Sequence, residues 1–316
     1  LSSADRNLTP EMSYSWEIGA DLRFFDSKTR LDLAYYSVKA DNQIVTVRVS
    51  PSSGYILQTR NEGAIRNHGI ELTLDQDIIK MRDFSWTAMF NLGINRGTVV
   101  SLPEDVAEIT GAQYGDIYTS AYLGGSTTGL SGKDYLRTAD GKIIVGSDGY
   151  PKIDPNKNKY IGNREPLFQS GITNTIKYKD MTLSFLFEGR LGGDVVNVTG
   201  RGLISNGQSK MLETYRGRQI VVDGVVEQED GSYEPNTTPI TLDYQTITNY
   251  FYAVSSNFVE DGSYIRLSYV TLNYDLSKLI KGTPLTGLRC SLTGNNLFLL
   301  TRYTGADPSL NANTSA

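Results

Sequence analysis

The chain has 316 residues, 39% of them hydrophobic and 21% charged, with a net charge of −5 and no long basic stretch, which argues against nucleic acid as a ligand. One Cys and one His exclude an internal disulfide framework, a Cys-rich zinc site and, without a second His or a reactive Cys, the Ser-His-Asp and Cys-His nucleophile arrangements. No apolar run reaches the ~18 residues of a membrane-spanning helix, but a membrane barrel strand needs only ~10 alternating residues and stays open.

The opening stretch LSSADRNLTPEM has no initiator Met, basic n-region or apolar h-region, so it reads as the start of a mature protein or of a segment of a longer one. From Tyr14 the chain alternates. Tyr14, Trp16, Ile18, Ala20, Leu22 and Phe24 form one set; Ser15, Glu17, Gly19, Asp21 and Arg23 form the other. Such alternation predicts a strand with one apolar and one polar face. Leu31, Leu33 and Tyr35 continue it, as do Ile70, Leu72 and Leu74 against Gly69, Glu71, Thr73 and Asp75. Phe84, Trp86, Ala88, Phe90, Leu92 and Ile94 alternate with Ser85, Thr87, Met89, Asn91 and Asn95. Met181, Leu183, Phe185, Phe187 and Leu191 face away from Thr182, Ser184, Glu188 and Arg190. Val270, Leu272, Tyr274 and Leu276, and then Leu288, Cys290 and Leu292, close the series. Eight long strands are expected, near 14–26, 29–48, 63–77, 83–96, 167–178, 181–193, 263–276 and 287–300.

The connections alternate between short and long. SKT, IIKMR, KD and SKLIKGTPLT join strands one–two, three–four, five–six and seven–eight. The other connections are long, the last two running to roughly 70 residues each, well above ordinary loop lengths. In an up-and-down sheet every short turn then lies at one end and every long loop at the other, as in an outer-membrane barrel with periplasmic turns and extracellular loops. A soluble sandwich or solenoid would also give period-two strands, but its strands are typically ~5–6 residues. Charges on the polar faces suit a wet lumen, and Tyr14, Trp16, Phe24, Phe25, Tyr35, Tyr36, Phe84 and Trp86 flank the strands as an interfacial girdle would. The expected fold is all-β: an antiparallel up-and-down transmembrane β-barrel whose apolar face meets outer-membrane lipid.

Several stretches resemble the SusC/RagA-like TonB-dependent outer-membrane transporters of Bacteroidota. They are Pro10–Ile44; NEGAIRNHGIELTL, with its Asn-x-Gly…Asn-x-Gly-apolar-Glu pattern; Gly149–Asn197, ending in Gly-Gly-Asp-apolar-apolar-Asn; Asn257–Ser277; and Leu292–Asn311. The resemblance covers nearly the whole chain and implies that residues 1–316 are the C-terminal part of such a receptor, eight strands of a barrel of about 22. The plug domain, the TonB box and the final strand are expected outside this sequence. The implied function is active import of a bulky nutrient, a glycan or oligosaccharide, with peptide import as the family's other cargo. Implied partners are a SusD-like lipoprotein over the extracellular loops and TonB-ExbB-ExbD acting through the N-terminal plug. The alternative is a non-transporting surface glycan-binding or adhesin β-protein. No enzyme activity and no cofactor are expected.

Candidate substrate-contacting residues are the lumen charges Glu17, Asp21, Arg23, Glu188 and Arg190, and the loop tyrosines Tyr114, Tyr118, Tyr122 and Tyr135, tyrosine being a flat, stiff and amphipathic contact. Asp154, Asn156, Asn158 and Glu165 occupy positions one, three, five and twelve of a calcium loop, but Lys159 stands where Gly is required, so no metal site is expected. His68 shares phase with Ile70 and reads as an outward interfacial residue. Cys290 reads as a packed thiol, and Tyr122–Gly132 as a mobile external loop without the ending of a phosphate loop.

Overall fold

Eight strands pair in chain order into one antiparallel sheet: β1 (Met12–Phe24), β2 (Thr29–Asp41), β3 (Ala64–Lys80), β4 (Phe84–Ser101), β5 (Pro166–Tyr178), β6 (Met181–Gly192), β7 (Tyr264–Asp275) and β8 (Arg289–Thr301). The computed structural model describes residues 2–50, 52, 54–104, 106 and 108–309. The register places the apolar residues level with one another. Leu22, Leu31, Leu74, Phe90, Ile172, Phe187, Leu267 and Phe298 are successive cross-strand partners, an apolar row spanning the whole sheet. A second row, Ile79, Trp86, Ile176, Leu183, Leu272 and Leu292, runs nearer the short turns. On β4 the apolar set runs from Phe84 to Ile94, about 33 Å along the strand at about 3.3 Å per residue, or about 25 Å in height once tilted by about 40°. That matches the lipid-facing band of a membrane barrel.

The other face is polar. Asp21, Asp32, Thr73, Asn91, Gly171, Glu188 and Arg266 form one row, and Asp77, Thr87, Thr175, Ser184, Thr271 and Thr293 another. Members of the second row hydrogen-bond laterally: Thr87 to Asp77 at 3.3 Å, Thr175 with Ser184 at 3.4 Å and Thr271 with Thr293 at 3.1 Å. Asn174, buried on the apolar face, is satisfied there, Trp86 Nε1 donating to its Oδ1 at 3.0 Å.

Two local features depart from the expected strands. The expected strand 29–48 is two strands, because Asn42 takes a left-handed φ of 56° after Asp41, a conformation Asn tolerates better than most residues. Ile44–Arg48 then leaves the wall and pairs with Leu57–Asn61, which pairs in parallel with Ser2–Ala4. In β7 the register slips at Ser268: Leu267 faces Phe187 while Tyr269 faces Leu186. This one-residue bulge puts both Leu267 and Val270 on the apolar face, although they are three apart in sequence.

The β1–β2 and β5–β6 connections are tight: Phe25, Asp26 and Ser27 all have positive φ, and so does Lys179. The long connections are folded bodies. Glu108–Tyr114, Ile117–Tyr122, Gly129–Gly132 and Lys159–Asn163 form a four-stranded sheet, and the last long connection carries α1 (Val198–Ser205) and α2 (Lys210–Tyr215). The expectation of a mobile Tyr122–Gly132 is corrected here: Leu130 and Ser131 are fully buried. Among the described residues, the buried apolar clusters lie in these loops. They are Ile117, Leu130, Val196 and Phe258; Val145, Val222 and Ile240; and Leu212, Leu242 and Ile247. Cys290 shares the outward row of Tyr274 on the edge strand and is exposed, so the expected packed thiol is also corrected. Among the described residues no helix is long and apolar enough to cross a membrane, which says nothing of crossing by strands.

The two faces predict unequal tolerance of charge. Ile172→Arg, on the apolar row, should lower folding stability in lipid by about 2–4 kcal/mol, whereas Thr173→Arg on the polar face should cost less than about 1 kcal/mol. Urea unfolding in vesicles measures both; equal costs would mean that the two faces meet the same solvent.

Candidate functional site

Beneath the long loops, the polar face holds two adjoining hollows. One, of about 330 Å³, is lined by Tyr36, Glu71, Gly93, Asn95, Glu165 and Gln169. The other, of about 360 Å³, is lined by Asn91, Gly93, Gln169, Gly171, Glu188 and Tyr264. They share Gly93 and Gln169. The register explains the juxtaposition, with Glu71 opposite Gly93 and Gly93 opposite Gln169, and Asn91 opposite Gly171 and Gly171 opposite Glu188. A Cβ added at Gly93 would meet nothing within 4 Å, so that glycine is an open stretch of wall. Gly69 does a different job: a Cβ there would lie 2.2 Å from the Ile94 carbonyl oxygen and 2.5 Å from the Tyr36 hydroxyl, so only glycine lets Tyr36 lie across β3. Tyr36 donates to Asn95 Oδ1 at 3.0 Å, and Glu165 Oε1 accepts from Asn95 Nδ2 at 3.2 Å and from Gly97 N at 2.7 Å. The wall therefore presents carboxamides, carboxylates and phenols, groups that recognise neutral hydrogen-bonding ligands.

The expected lumen charges are split. Glu17 is exposed opposite Tyr36, and Asp21 pairs with Arg23 at 3.2 Å with both side chains more than half exposed. Glu188 belongs to the second hollow and accepts from Ser268. Arg190 is a fastener. It donates to the carbonyls of Gly192 at 3.2 Å and Arg164 at 2.9 Å, tying the base of one long loop to the base of the other. Gly192 and Gly193, with φ of 72° and 77°, make the turn that permits this, and Asp194 Oδ2 accepts from Asn163 N at 2.7 Å. Asn197 then caps α1, its Oδ1 accepting from Gly200 N at 2.7 Å.

The loop tyrosines are structural in differing degree. Tyr135 is 4% exposed; its hydroxyl donates to the Tyr250 carbonyl and accepts from Asn257 Nδ2, each at 2.8 Å, so it is closed to a ligand. Tyr114 packs against the Ile117 cluster, and Tyr118 accepts from Gln113 Nε2 at 3.1 Å. Burial, and after it Glu108, pushes the Tyr122 hydroxyl up to about 12, and its ring meets Tyr160 edge-on. The calcium set is not brought together: Asp154 pairs with Lys159 at 3.1 Å, the Asn158 side chain turns to Glu108, Asn156 caps the turn at Asn158, and Glu165, just before β5, turns its carboxylate to Asn95 and Gly97 of β4. No group of three or more acidic, His or Cys side chains suited to a metal occurs among the described residues.

Charged contacts join the two long loops. Arg201 on α1 pairs with Asp116 and lies 5.0 and 5.3 Å from the ring centroids of Tyr252 and Phe258; Lys133 stands 3.5 Å from Asp116. Asp134 accepts from Arg137 at 3.0 Å and from Ser256 at 2.6 Å. Alternation along the chain exposed Glu71, Asn91 and Asn95 as polar positions, but not that Tyr36, Gln169 and Tyr264 stand beside them. That follows from register, which the sequence does not state.

Residues 1–154 match the family model described as "TonB dependent receptor-like, beta-barrel". The chain is 28% identical over 98% of its length to TonB-dependent receptor P3 of Formosa agariphila, and 22% identical over 99% to TonB-dependent receptor SusC of Bacteroides thetaiotaomicron, covering 31% of each. It thus spans about a third of the curated relatives it matches. Among solved structures, the RagAB peptide importer in its open-open state superposes with a TM-score of 0.67 at 20% identity, over 95% of this chain and 32% of the other.

The loop contacts carry a pH signature. Burial opposes ionisation of Asp116 and Asp134, but hydrogen bonds from Arg201 and Arg137 respectively outweigh it and hold both below 3.8. Their stabilisation is complete above the unfolded value and is lost as pH falls through the depressed folded values. Asp194 has the opposite sign, because burial raises it, so its protonation on acidification relieves a cost. The expected outcome is protease-resistant loops from pH 7 to about 4 and opening only below that. Arg201→Gln should raise the loop cleavage rate at neutral pH roughly tenfold. Limited proteolysis across pH checks both.

Proposed function

Since the chain is part of an outer-membrane TonB-dependent receptor β-barrel of the SusC- and RagA-like group, we propose that the complete protein imports a bulky polar nutrient, a glycan or oligosaccharide. The observation that carries this reading is the pair of adjoining hollows on the polar wall, with Tyr36, Glu71, Asn91, Asn95, Gln169 and Glu188 around a glycine floor. Amide, carboxylate and phenol groups alternate donors and acceptors as sugar hydroxyls require, and a side-chain-free stretch at Gly93 and Gly171 lets a broad ring approach the backbone. Glu17, Asp21 and Arg23 lie on the same polar face and shape the field along the lumen.

The chain supplies a C-terminal arc of a barrel of about 22 strands. The sheet order supports this, because β1 and β8 each pair on one side only, and an edge left open in lipid would strand unpaired backbone groups. Energy comes from TonB-ExbB-ExbD through a plug carried by the rest of the protein. A SusD-like lipoprotein seats on the folded loops. The protein is a transporter and not an enzyme. Peptide import is the second reading: the RagAB importer takes peptides, and the wall carboxamides suit a peptide backbone equally well.

Two measurements test the proposal. Tags at Gly141 and Gly231, both at open turns of the long loops, should be labelled on intact cells, and a tag at Asp180 in the turn between β5 and β6 should not. Asn91→Ala with Gln169→Ala should lower uptake of a polymeric glycan by roughly 3–10-fold per lost hydrogen bond without lowering the amount of protein in the membrane. Unchanged uptake of every glycan and loss of oligopeptide uptake would replace the first cargo by the second.

A further inference from the structure

All the basic side chains on the outward face of the eight strands lie in one place. On β1 and on β5 to β8, the positions in phase with the apolar row carry no Lys, Arg or His. On β2, β3 and β4 they carry Lys39, Arg66, His68 and Arg96, in two adjacent rows. Lys39 is the direct cross-strand partner of Arg66, and His68 of Arg96. These rows sit immediately beyond the row of Ile18, Tyr35, Ile70 and Ile94, where the apolar band ends on the side of the long loops, with Trp16 level with His68. At the other margin of the band, outward positions carry Phe24, Phe84, Tyr178, Met181 and Tyr274 and no cation.

The cluster is under-neutralised. Lys39 pairs with Asp41 at 2.8 Å. Arg96 is held by carbonyls alone, those of Asn95, Pro166 and Leu167 at 2.6–2.8 Å, so its charge meets no carboxylate there. Arg66 is exposed and makes no ion pair or hydrogen bond among the described residues. His68 Nδ1 is shielded from water yet has no partner. Two cations directly opposite each other on a sheet face destabilise it unless an anion lies between them. Cβ atoms of such partners are about 5 Å apart, within reach of one phosphate. Beside the patch, a hollow of about 960 Å³ opens at the rim, lined by Met12, Tyr14 and Lys39 and by the carboxylates of Asp41, Glu62 and Glu104.

We infer that this patch binds the phosphate of an anionic lipid in the outer leaflet, with Arg66 and Lys39 as the direct contacts, Arg96 as a fixed positive neighbour, and the acyl chains lying along the apolar band below. Charge complementarity at the band margin selects a lipid headgroup over a soluble ligand, because the apolar surface continues directly from the basic rows. The assignment rests on the long loops facing outward. The binding test below is indifferent to that orientation, and the tag labelling tests orientation alone, so the two can fail separately.

The experiment uses the full-length protein in mixed micelles of a neutral detergent and phosphatidylcholine, titrated with bisphosphorylated lipid A or with its dephosphorylated form, and read by native mass spectrometry. Each basic residue beside an anionic lipid contributes roughly a fivefold gain in affinity. Wild type should therefore hold the bisphosphorylated lipid, and Lys39→Gln with Arg66→Gln should weaken binding by on the order of 25-fold. Arg30→Gln, on the opposite face, should leave lipid binding unchanged, and heat-dependent gel migration confirms that each variant is folded. Equal binding of both lipid forms, equal binding by the double variant, or displacement by millimolar inorganic phosphate would each overturn the inference.

Discussion

Inside a bilayer every backbone N–H and C=O must find its partner within the protein, and this one requirement organises the molecule. It demands strands that run long and pair continuously, and β1 to β8 do so from Met12 to Thr301 with each ladder extending over ten or more residue pairs in sequence order. Continuous pairing brings the period of two with it, and that period separates one solvent from another. The row from Leu22 to Phe298 can be apolar throughout because the residues one step along, from Asp21 to Arg266, face elsewhere.

A consequence is that the wall has little interior of its own. Its apolar side chains are covered by lipid and its polar ones by water, so the packed clusters form where the chain leaves the membrane. Ile117, Leu130, Val196 and Phe258 come from both long connections, and the Arg201–Asp116 pair crosses between the same two. The loops thus fold as small globular bodies with ordinary buried cores, anchored to the wall at points such as Arg190 and Glu165.

This division explains what the sequence disclosed. The wall strands were legible because lipid and water impose alternation along most of each strand, and Trp16, Phe90 and Phe187 all follow it. The Asp41–Asn42 break carried a readable turn signal that the continuing apolar residues Ile44 and Val45 obscured. The loop cores were not legible. Leu130 sits in a stretch of Gly, Ser and Thr whose composition suggests mobility, and its partners lie far along the chain. The wall hollows fell between: each polar residue was visible, but register decides which of them are neighbours. The face of Cys290 was readable, whereas the sequence does not state that this face is the outside of the wall and not a packed interior.

The bulge at Ser268 makes length parity a property of the wall. One residue without a cross-strand partner lets Leu267 and Val270 both point outward. Removing it would restore simple alternation and turn either Leu267 or the set Val270, Leu272 and Tyr274 inward, exchanging lipid-facing and water-facing residues along half a strand. Genetic insertions and deletions in β1 to β8 are therefore constrained to even steps or to places where a bulge absorbs the odd one. The long connections carry no such arithmetic and can change length one codon at a time.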